Sequence, residues 1–250
     1  MVTENGKITP VDVTGMSDEA ILEAVREQRR IEEMMQEDYA LGVGNVDPMV
    51  LSECSRQCAV LYRSLRNNKD ARRFYRRAIS TMEDCVAAKP RAEFCERLYA
   101  ICLEAGEFEE SVPSMPGAKL CYLKAADSAQ ELAKLTQAKE AHRSRLEMTA
   151  RVAMINQREG LLEEAEMLYG DCRKIAEGIA AGAQSAEAYQ AVARIYLKIA
   201  DVNVAQKDFE KARLFYRNCC EILELLIYYG DAQAAEELER IRAMLQTLPA

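Results

Sequence analysis

The feature that most constrains this chain is a self-similarity with a period of 47 residues. Four segments start 47 residues apart: Ala71-Arg-Arg-Phe-Tyr75, Ala118-Lys-Leu-Cys-Tyr122, Ala165-Glu-Met-Leu-Tyr169 and Ala212-Arg-Leu-Phe-Tyr216. A small residue follows each tyrosine by three positions, as Ala78, Ala125, Cys172 and Cys219. Spacings of four and three place alanine, tyrosine and small residue on one face of a helix. The steric logic is that small residues admit a neighbouring helix closely while the tyrosine fills the gap between helical pairs. A chain with such a period is a stack of like units, because a single unit cannot bury its apolar face alone.

The composition agrees with helices. The 250 residues are 49% hydrophobic and 30% charged, so the chain can bury a core. Six prolines and eleven glycines are too few for an all-β chain with a turn every ten residues. Breaks in the apolar pattern divide the chain. Residues 1–16 lack periodicity and read as a flexible leader, and residues 17–250 as one helical array. Within it, Ser17 opens an N-terminal helix over 17–40. Asp47-Pro48 is an N-cap followed by proline at the first helical position, so repeats occupy 48–230. Lys89-Pro90 closes a helical pair, and Gly160, Gly182 and Gly230 are the expected later stops. Asp231 caps a closing helix over 231–248. About eleven helices are expected.

Before three of the repeated segments stands an acidic turn: Gly106-Glu-Phe-Glu-Glu-Ser111, Gly160-Leu-Leu-Glu-Glu-Ala165 and Lys207-Asp-Phe-Glu-Lys-Ala212. Arg66-Asn-Asn-Lys-Asp-Ala71 is a weaker fourth. Before each turn lies a helix with small or apolar residues on one face: Cys58, Ala59 and Tyr62; Leu98, Tyr99 and Cys102; Val152, Ala153 and Asn156; Ile199, Ala200 and Asn203. Both helices of each unit resemble the tetratricopeptide repeat, over about residues 50–230. The resemblance implies an all-α fold: a right-handed α-α superhelix of about four helical hairpins with terminal capping helices. The period departs from the usual ~34 residues and lies nearer HEAT or armadillo units, and lengthening both helices absorbs the difference. If Ser111 and Ala118 are equivalent, seven residues are inserted in the second unit, and its second helix restarts after Pro116.

Chemistry is sparse. With one histidine, His142, a histidine metal cage or relay is close to excluded, and no phosphate loop, nucleophile elbow or zinc-protease helix is present. The nine cysteines contain no C-x2-C pair. Cys58, Cys102, Cys172 and Cys219 fall on packing columns, where a free cysteine acts as a small hydrophobe. Catalytic residues, metal and cofactor are therefore all expected to be none, and the protein is expected not to be an enzyme. The formal net charge is −8, distributed as −7 over residues 1–50, +5 over 51–90 and −6 over 91–250. That balance argues against a nucleic-acid partner. No apolar run is long enough for a membrane span, and the start lacks a signal pattern, so a cytoplasmic location is expected.

On the tetratricopeptide register, inward positions of the first helices carry Arg56, Arg63, Arg97, Arg151, Arg158, Arg194 and Lys198. The resemblance implies a protein or peptide partner in a concave groove, and these cations would favour an acidic one. Against that stands a plainer reading, in which they solvate a helix face or pair with glutamates such as Glu96 and Glu147. In chaperone-binding members, a clamp of lysine, arginine and two asparagines holds a terminal carboxylate. Arg194 and Lys198 stand at its two cationic positions, but Ala100 and Arg151 replace the asparagines, so chaperone binding is not implied. The resemblance leaves two functions open: an interaction module or adaptor, and a peptide-sensing regulator that changes conformation on binding a signalling peptide.

Overall fold

The computed structural model describes residues 11–43, 45–112 and 114–249. Residues 1–10 of the expected leader lie outside this set, and the rest of it, 11–16, is non-helical. Two compact units divide the chain, one ending at Thr136 and one beginning at Gln137. The first holds α1 (Asp18–Leu41), α2 (Pro48–Ser64), α3 (Asn68–Ala88), α4 (Ala92–Ser111) and α5 (Met115–Thr136). The second holds α6 (Lys139–Arg158), α7 (Leu162–Ala183), α8 (Ala186–Gln206), α9 (Phe209–Tyr228) and α10 (Ala232–Thr247). Ten helices and no strand are present among the described residues, against about eleven helices expected.

The hairpins are α2/α3 and α4/α5 in the first unit, α6/α7 and α8/α9 in the second. The end helices pack as caps, α1 on α2 and α10 on α9. Local chemistry sets the starts. Side chains of Ser17, Asp47, Asn67, Ser185, Asp208 and Asp231 accept hydrogen bonds from backbone N–H groups of the first turn, satisfying donors that a helix start leaves open.

The period is exact in the second helices, whose first residues are Asn68, Met115, Leu162 and Phe209. Each preceding turn closes with the same backbone bond. Asn67, Ser114, Leu161 and Asp208 donate to the carbonyls of Tyr62, Glu109, Asn156 and Asn203, each at 2.9 Å. This is the six-to-one bond that ties off a helix end. Ala71, Ala118, Ala165 and Ala212, the four column tyrosines, and Ala78, Ala125, Cys172 and Cys219 are all buried.

Two expectations are corrected. There is no seven-residue insertion in the second unit. Gly106–Ser111 forms the end of α4 rather than a turn, and α5 begins at Met115. Gly106 instead fills a packing column inside the helix, where an added Cβ would lie 2.5 Å from Cε1 of Tyr122. Ala105 and Gly106 thus hold the places that Cys58 and Ala59 hold in the preceding hairpin; Cys102 is buried one turn earlier. Gly182 likewise does not stop a helix. It lies inside α7, which ends at Gln184 in the left-handed region at φ 46°. Gly160 and Gly230 do take left-handed turns, at φ 79° and 92°.

Candidate functional site

The seven cations singled out from the sequence fall in both units. In the first, Arg56 on α2 donates through Nε and one terminal nitrogen to Glu53, at 2.9 and 2.8 Å, and through the other to Glu104 on α4, at 2.9 Å. Arg97 on α4 also pairs with Glu53. Burial alone would raise the Glu53 carboxyl. Hydrogen bonds from Arg56 and Gln57 and the charges of Arg56 and Arg97 outweigh it and hold the group below its ordinary value. Tyr75 Oη donates to the other oxygen of Glu104 at 2.9 Å, joining the column tyrosine to this network. Arg63 lies over the Phe108 ring at 6.0 Å. The guanidinium groups of Arg56 and Arg97 are therefore committed to carboxylates of their own unit.

The second unit differs. A cavity of about 620 Å3 opens between α6 and α8, with α7 behind it. Arg151, Arg194 and Lys198 line it, and Arg143 joins them. Leu146, Ala150, Met154, Ala191 and Ile195 make its floor. Arg158, in the last turn of α6, is exposed and does not line it. Arg151 bonds to Glu147 at 3.1 Å, one turn back on its own helix, the partner that the plainer reading names. Arg143 spans from Glu140 at 2.8 Å to Glu187 on α8 at 3.5 Å. Arg194 donates only to the backbone oxygen of Gln190, at 3.3 Å, and neither it nor Lys198 makes an ion pair among the described residues. Arg194 also lines a shallower hollow between α8 and α10.

The apolar floor was missed from sequence, although its signal is there. Residues 146, 150 and 154 of α6 and 191 and 195 of α8 each recur at helical spacing, so each set marks one face. The cations on the same two faces mask the hydrophobic half of the pattern.

Among the described residues, no cluster of three or more His, Cys, Asp or Glu could hold a metal ion. Burial pushes the Cys54, Cys172 and Cys219 thiols up to about 12, and raises Cys58 and Cys102 as well. Such thiols are protonated packing groups, not nucleophiles. His142 is exposed. No described helix is long and apolar enough to cross a membrane.

No family model and no curated protein matches the sequence. Among solved structures, the S. pombe nuclear import adaptor Nro1 aligns over 92% of this chain and 76% of its own, at 11% identity and TM-score 0.55. BtubC (BKLC) from P. vanneervenii aligns over 92% of this chain and 94% of its own, at 17% identity and TM-score 0.46. A STAND protein with a tetratricopeptide repeat sensor, from Pyrococcus horikoshii, aligns over 92% of this chain and 35% of its own, at 17% identity and TM-score 0.48. At 11% identity the likeness to Nro1 is one of fold. Four hairpins in a 47-residue period, with buried columns of alanine, tyrosine and small residue, give this chain a tetratricopeptide-like repeat fold.

Proposed function

We propose that the chain is a non-enzymatic interaction module whose groove between α6 and α8 takes an acidic segment of a protein partner. The observation that carries this reading is the pairing of an apolar floor with Arg194 and Lys198, two cations that make no ion pair among the described residues. A half-apolar, half-cationic groove suits a peptide that sets one apolar side chain on Met154 and Ile195 and its carboxylates against the rim. The fold shared with a nuclear import adaptor agrees with an adaptor role. Nine free thiols suit a reducing compartment, so we place the protein in the cytosol.

The test is capture of partners from native lysate, followed by affinity measurement with the acidic peptide so identified. Arg151→Ala and Arg194→Ala should each weaken binding by roughly 1–3 kcal/mol, the range for hydrogen bonds to charged groups. Affinity should also fall as salt rises. Unchanged capture by the double variant sinks the proposal.

A further inference from the structure

Two of the three glycines of α7 share the lining of one cavity. Gly178 lies inside the helix, Gly182 one turn on is its next-to-last residue, and neither has a positive φ. A Cβ added to either would meet nothing within 4 Å. Glycine weakens a helix interior relative to alanine, and neither backbone strain nor a close neighbour requires it here. Both residues line a second cavity of about 550 Å3, between α6 and α7. Around it stand Lys139, His142 and Arg145 from α6 and Lys174 from α7. Asp171 is the one acid in the lining and pairs with Lys174 at 2.8 Å. Lys139 and the half-buried Arg145 make no ion pair among the described residues. With His142 neutral, the lining carries a net charge of +2 in a chain of net −8.

We propose that this cavity binds a small phosphorylated ligand with a flat apolar body. Lys139, Arg145 and Lys174 face one cavity from two helices, an arrangement that matches a dianionic phosphomonoester. The bare backbone at Gly178 and Gly182, between Ile175 and Ile179, leaves an apolar wall for a planar ring. The volume is that of a small-ligand pocket. This site is separate from the α6/α8 groove in ligand and in charged residues, and stands whether or not that groove binds a peptide.

The single histidine makes the test direct, because tag-free protein gives one imidazole Hε1 resonance. Adenosine monophosphate should shift it saturably, adenosine should not, and inorganic phosphate should bind more weakly than the monophosphate. Arg145→Ala should lower the affinity by about tenfold or more, as loss of a charge-assisted contact does. Gly178→Leu is the decisive variant, since its Cβ meets nothing within 4 Å and the rest of the side chain enters the cavity. Its melting temperature should hold or rise while monophosphate affinity falls by about tenfold or more. The proposal is overturned by no saturable shift, by an equal shift with adenosine, by phosphate binding as tightly as the monophosphate, or by either variant keeping full affinity.

Discussion

At Gly106 an added Cβ would lie 2.5 Å from Cε1 of Tyr122, a fully buried ring with no room to retreat. At Gly170, also inside a helix, the same Cβ would meet nothing within 4 Å. Gly106→Ala gains helix propensity of ~1 kcal/mol but overpacks the column at a cost of ~1–3 kcal/mol, so it should destabilise on balance. Gly170→Ala should stabilise by ~0.5–1 kcal/mol. Thermal melts that move in the same direction for both would contradict this account of the column. Cys172 occupies another column and is fully buried, so Cys172→Ala should cost on the order of 1 kcal/mol or less. Its thiol also carries a pH signature. An unfolded thiol ionises near 9.0, whereas burial holds the folded one to about 12. The unfolded state therefore binds fewer protons across that window, and stability falls as pH rises through it. Between pH 9 and 11 the alanine variant should lose less stability than the parent, as denaturant titrations at the two pH values would show. The residue columns were legible because their spacing is a property of the chain itself. The groove floor was not, because apolar residues at helical spacing read equally as core.

The helices show how much of the architecture a sequence can carry at the level of the element. Ser17, Asp47 and Asp231 announce their helices through capping chemistry that needs no tertiary context, and all three starts were readable. The end of α4 was not. Gly106-Glu-Phe-Glu-Glu imitates the turn signature found elsewhere in the repeat, and only packing against Tyr122 reveals that the glycine makes room rather than breaks the helix. Gly182 misled by a narrow margin: it keeps helical φ, and the left-handed stop falls two residues later on Gln184. The N-terminal helix supplies a test of docking. Glu32 of α1 is fully buried, accepts from Ser55 Oγ at 2.8 Å and pairs with Arg77 of α3 at 2.7 Å. Glu32→Ala strands both partners. The loss should be about 2–3 kcal/mol, at the low end for breaking a buried pair because Arg77 retains contact with water. Hydrogen exchange in α1 should accelerate more than in α9. If α1 and the global melt are both unaffected, the Glu32 cluster does not hold the helix.

For the whole molecule, the period foretold a stack of hairpins, and the division at Thr136 and Gln137 is what it did not foretell. A boundary between units depends on which faces meet, and one repeat motif can write the same columns on both sides of it. The second unit has the means to fold alone. One buried cluster joins Ala153, Tyr169, Cys172, Ile195 and Val202 across α6, α7 and α8. Another joins Ala200, Tyr216, Leu223, Leu238 and Ile241 across α8, α9 and α10. Tyr189, Tyr196, Phe215 and Ile222 pack against both, so the two clusters are one continuous core. In an array whose stability is roughly a sum of unit and neighbour contributions, such a segment retains its own share when the rest is removed. Residues 137–250, expressed alone, should therefore give a helical circular dichroism spectrum and a single cooperative melt. The same fragment contains every residue lining the α6/α8 groove, and residues 1–136 contain none. Fragment 137–250 should accordingly capture the partner that the full chain captures, with the same salt dependence, while 1–136 should not. A fragment that melts without cooperativity would show that its core needs the first unit. A folded fragment that fails to bind would show that the groove is not sufficient for recognition.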